Sequence, residues 1–92
     1  MLPQYFPTAN VSSIVYDLLK VEIVQSTLFN TTFEYKICCP NEKIIRKGSF
    51  TGPNVQLRLS LMQEGKYSFH LFLNGEQIQY SGFEKMPAFA YS

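Results

Sequence analysis

The chain has 92 residues, with eight basic and seven acidic side chains and a formal net charge of +1 at pH 7. That is enough length for one domain with one modest core, and too little clustered positive charge for the electrostatic footprint that duplex DNA requires. No run of 18 apolar residues occurs, so no segment is suited to cross a membrane as a helix.

Charged residues make up 16% of the chain, below the ~25% usual for globular domains, so Ser, Thr, Asn and Gln must cover much of the surface. This is common among exported β-proteins. Residues 1–13, MLPQYFPTANVSS, have neither a basic n-region nor an apolar h-region and are not read as a signal peptide. Either the protein is cytosolic or a leader is missing from this sequence.

The single domain is expected to span residues 1–92, with 1–10 as an extended lead-in and 86–92 as a tail. Pro3 and Pro7 keep the lead-in out of a central strand, since proline cannot donate to a ladder. In Val11 to Val24, the spacing of Val11, Ile14, Val15, Leu18 and Leu19 also fits a short helix. Alternation of Val15, Asp17, Leu19, Val21 and Ile23 with their neighbours, and the β-branched content, favour a strand. A bulge near Asp17-Leu18 would explain the change of apolar face.

Phe33, Tyr35, Ile37 and Cys39 alternate with Glu34, Lys36 and Cys38. Pro40-Asn41 turns the chain, and Lys43 to Phe50 returns, with Ile44 and Ile45 competing for the inward face. Thr51-Gly52-Pro53-Asn54 reads as a loop. Val55 to Lys85 reads as three successive antiparallel strands. The first carries Val55, Leu57, Leu59 and Leu61 on one face, and Gln63-Glu64-Gly65 turns it into the second. The second carries Tyr67, Phe69, Leu71 and Leu73. Asn74-Gly75 then predicts a type I′ hairpin into Gln77 to Phe83, because both central residues of that turn need φ > 0. Leu57, Leu59, Leu61, Tyr67, Phe69, Leu71 and Ile78 are expected in one core. Strands recurring about every ten residues with turn signals between them predict an all-β, immunoglobulin-like antiparallel β-sandwich of six or seven strands.

Leu61-Met62-Gln63-Glu64-Gly65-Lys66-Tyr67 resembles the tyrosine corner of immunoglobulin-like and fibronectin-type sandwiches, in which the phenol bonds an upstream backbone group. The expected structural residues are therefore Tyr67, Leu61 and Gly65, with Asn74 and Gly75 at the hairpin. The wider order from Thr31 to Lys85 runs through Lys47-Gly48-Ser49-Phe50, Leu57-x-Leu59-x-Leu61, Glu64-Gly65-Lys66-Tyr67 and Tyr80-Ser81-Gly82-Phe83. It resembles a family of small secreted immunoglobulin-like proteins of Bacteroidetes, of unknown function, and the C-terminal sorting domains of type IX secretion cargo. It departs from them at Cys39-Pro40-Asn41-Glu42, which replaces the usual Asp/Asn-Gly turn. The resemblance implies a secreted, periplasmic or cell-surface location and supplies no catalytic residue.

No catalytic, cofactor or metal site is expected. Cys38 and Cys39 are adjacent, and their side chains oppose each other in a strand, so they should remain free thiols, with Cys39 in the core beside Ile37. A metal set would need ligands that no second Cys pair supplies. His70, the one histidine, lies among apolar residues with no nucleophile motif beside it. Tyr5, Phe6, Phe89 and Tyr91 flank the domain and form either a platform for a glycan or peptide or a cover for the sandwich ends. The function expected is a non-enzymatic exported domain that binds a protein or a polysaccharide, with no nucleic-acid partner and with edge strands open to self-association. The alternative is a passive structural or secretion-sorting module.

Overall fold

A computed structural model describes residues 9–23, 31–52 and 54–87. Within these residues eight strands form two sheets: β1 (Ala9–Val11), β2 (Ile14–Val15), β3 (Leu18–Ile23), β4 (Thr32–Cys38), β5 (Ile44–Thr51), β6 (Asn54–Arg58), β7 (Gly65–Leu73) and β8 (Glu76–Lys85). Sheet order is β1-β3-β6 in one and β2-β8-β7-β4-β5 in the other. The fold is an all-β sandwich, with seven strands of three or more residues and the two-residue β2. All described pairings are antiparallel except β2 with β8. Among the described residues there is no helix, and none long and apolar enough to cross a membrane.

The alternating apolar residues dictate the core. Leu19, Val21 and Ile23 of β3 and Leu57 of β6 face Phe33, Tyr35 and Ile37 of β4, Phe69 and Leu71 of β7 and Phe83 of β8. Tyr35 stacks on Phe69 with centroids 5.8 Å apart, and Phe33 on Phe50 at 5.5 Å. Each large side chain buried this way contributes about 1.5–3 kcal/mol. Gly48 lies under the Tyr35 ring, where an added Cβ would stand 2.9 Å from Oη. Instead of the bulge expected near Asp17-Leu18, the chain bends at Tyr16-Asp17 between β2 and β3 and passes from one sheet to the other.

Two side chains tie the sheets together, and a third is buried at the end of β8. The Gln79 amide of β8 accepts from the Ala9 N–H and donates to the Ala9 carbonyl, both at 2.7 Å. Arg46 Nη1 of β5 donates to the Arg58 carbonyl at 2.7 Å. Lys85 ends the inner face of β8 at 2% exposure, its Nζ donating to the Met86 carbonyl at 2.6 Å.

Several expectations are corrected. Val55 to Leu61 does not pair with the following strand. Its ordered part, β6, pairs with β3 in the opposite sheet, because the residues after Arg58 turn away: Leu59 N–H donates to the Asp17 carbonyl and Met62 N–H to the Leu59 carbonyl. That turn breaks the period of two. Leu61 is consequently 99% exposed, and Met62 packs against the core instead. Cys38 is the buried cysteine. Cys39 lies past the strand end, in a turn where its thiol donates to Asn41 Oδ1 at 2.6 Å. Neither Ile44 nor Ile45 wins the inward face. The register skips Ile45, and both stay exposed on the outermost strand.

Candidate functional site

The outer face of the five-stranded sheet is built by cross-strand register. Alternation along β7 turns Ser68, His70 and Phe72 outward, opposite to buried Phe69 and Leu71. Pairing then sets Tyr80 of β8 and Lys36 of β4 beside His70, and Gln77 beside Phe72. One irregularity makes this possible. Leu71 pairs with Gln79 and Phe72 with Gln77, so Ile78 is an extra residue on β8. Ile78 packs inward, Gln79 also turns inward to clamp Ala9, and Tyr80 emerges on the outer face.

The resulting cluster is ordered by hydrogen bonds. His70 Nδ1 lies 3.0 Å from Gln77 Oε1, and His70 Nε2 lies 2.9 Å from Ser68 Oγ. Either ring nitrogen can donate or accept in these contacts, according to the tautomer. Tyr80, 62% exposed, rests against the imidazole with centroids 5.0 Å apart. Lys36 Nζ stands 5.0 Å from the Phe72 ring centroid, within cation–π range. These residues line a shallow depression of about 600 Å³. Among the described residues no group of three His, Cys, Asp or Glu side chains could hold a metal ion.

The structural residues singled out in the sequence lie elsewhere. The Tyr67 hydroxyl donates to the Gln63 carbonyl at 2.7 Å, the bond expected at a tyrosine corner, and this is where the chain crosses from β6 to β7. Its ring stacks on Phe83 at 5.7 Å, whereas Leu61 is left in solvent. Gly65 has φ 146°, and Asn74 and Gly75 have φ 54° and 82°, as a type I′ turn demands. Tyr5, Phe6, Phe89 and Tyr91 lie outside the described residues.

Tyr80 and Gln77 escaped sequence reasoning because their outward position depends on register, and Lys36, read opposite Phe33, Tyr35 and Ile37, could not be set beside His70 without the strand order. A signal was present, however. Ile78 and Phe83 are both apolar and five apart, and two inward residues at an odd spacing require one irregular residue between them. No protein-family model matches the chain, and no curated protein is similar to it.

Proposed function

We propose that the protein is a small non-enzymatic binding domain whose ligand face is the outer surface of the five-stranded sheet, and that its ligand is a glycan. The observation that carries this is the exposed Tyr80 ring braced on His70, with the imidazole itself held between Ser68 and Gln77. An aromatic face offers a sugar ring an apolar stacking surface, and fixed hydroxyl, imidazole and amide groups beside it offer directional partners for sugar hydroxyls. Side chains already held in place lose little conformational entropy on binding. The exported setting rests on the resemblance of Thr31 to Lys85 to small secreted immunoglobulin-like proteins.

The Ser68–His70–Gln77 connectivity resembles a nucleophile relay, but its setting suits positioning better than catalysis. Ser68 sits inside β7 with paired strands on both sides. It lies in extended strand and not on the sharp strand-to-helix turn that presents a nucleophile.

The test is a titration of the ¹⁵N-labelled protein with soluble oligosaccharides, neutral and acidic, followed by amide shifts. Perturbations centred on Ser68, His70 and Tyr80, abolished by Tyr80→Ala, are expected. Shifts confined to other surfaces, or no shifts with any saccharide, would remove this reading and leave the passive structural or sorting module.

A further inference from the structure

The pairing that places Lys36 beside His70 also places Lys47 of β5 directly opposite Lys36. One row therefore crosses four strands in the order Tyr80, His70, Lys36, Lys47. With neighbouring strands ~4.8 Å apart, the row is about 14 Å long. Like charges directly opposite across a sheet repel each other. Among the described residues neither lysine is in an ion pair, the one such pair being Arg58 with Asp17 on the other sheet's side, and Lys36 meets only the face of Phe72. A second depression of about 560 Å³, shared with the first through Lys36 and Phe72, extends the surface to Lys47. Glu34 borders this second depression, and Glu42 and Lys66 border the first.

From this row we infer that the ligand is an acidic polysaccharide, a chain of uronic-acid rings. One ring stacks on Tyr80, and a carboxylate further along the chain sits between Lys36 and Lys47, replacing their repulsion with two favourable contacts. The inference rests on the glycan reading of the outer face and names its charge class. A polymer of alternating rings and carboxylates matches a row that begins aromatic and ends cationic. A nucleic acid matches it less well. Its closely spaced phosphates need a broadly basic track, and here Glu34 and Glu42 break the basic surface on a chain of net charge +1.

Calorimetric titration with oligogalacturonate, and with the same oligomer fully methyl-esterified, isolates the charge from the ring. The acidic form should bind at least tenfold more tightly, and its advantage should shrink as salt is raised from 50 to 500 mM. Lys47→Gln should erase most of that advantage while leaving thermal stability unchanged or slightly higher, because it also removes the like-charge pair. Equal binding of ester and acid, both lost in Tyr80→Ala, would overturn the acidic assignment and keep the glycan face. Failure of both oligogalacturonate and oligoalginate to bind would overturn it too. So would an oligodeoxythymidylate binding through the same lysines more tightly than either uronate.

Discussion

On the five-stranded sheet, Phe69 and His70 are neighbours in sequence and look in opposite directions. Phe69 is fully buried and stacked on Tyr35. His70 lies on the outer surface, bonded to Ser68 and Gln77 and covered on one side by Tyr80. The inner face is selected by transfer from water, which rewards apolar area and close packing. The outer face gains little from its particular residues in that currency. A cationic pair set opposite each other and a ring left mostly in water are arrangements that folding alone does not favour.

This contrast can be broken or sharpened by substitution. The largest effect is expected from Phe69→Ala, which leaves a cavity beside Tyr35 and should cost about 3–5 kcal/mol. In a domain this small, that should abolish the cooperative thermal transition, and a retained transition near the original Tm would mean the inner face is not the core. Next comes Gln79→Ala. It strips the Ala9 N–H and carbonyl of the side-chain amide that bridges the two sheets. A loss of about 1–3 kcal/mol is expected, with faster exchange of the Ala9 amide proton than in the parent. Unchanged exchange would show that water replaces the clamp without cost.

Tyr67→Phe should follow at about 1 kcal/mol, because the hydroxyl bond to Gln63 lies near solvent and water can compensate part of it. A urea midpoint that does not move would show that the ring on Phe83, and not the phenol, secures the corner. The smallest effect is expected from His70→Ala. Stability should stay within about 0.5 kcal/mol of the parent, as for outer-face positions without a core role, while saccharide-induced shifts at Tyr80 collapse. A large loss of stability from His70→Ala would place the outer network among the folding determinants and weaken the contrast between faces.

The two hairpins of this sheet show how much was legible in the chain. For β7 and β8 the Asn74-Gly75 turn could be read directly, since its two positive φ angles restrict the residues that fit. The extra residue at Ile78 could be inferred only from parity, and it decides where Tyr80 points. For β4 and β5 the competition between Ile44 and Ile45 was visible as an ambiguity. Pairing resolved it by skipping Ile45, which left both side chains exposed on the outermost strand. Leu61 misled because alternation was extended beyond Arg58, where the turn bonded through Asp17 and Leu59 ends the strand.

Period-two alternation and turn chemistry are local properties, so the sequence by itself determined that this chain is a β-sandwich, that Phe33, Ile37, Leu57, Phe69 and Leu71 face its core, and that the Tyr67 hydroxyl bonds the loop just before it. Which strand lies beside which is not local. Only the tertiary structure joined β6 to β3 instead of β7, and aligned Tyr80, His70, Lys36 and Lys47, drawn from four strands, into one row. The physical reason is that cross-strand neighbours are set by register, and register depends on distant partners, bulges and turns together, so a one-residue shift would send each of those side chains to the other face.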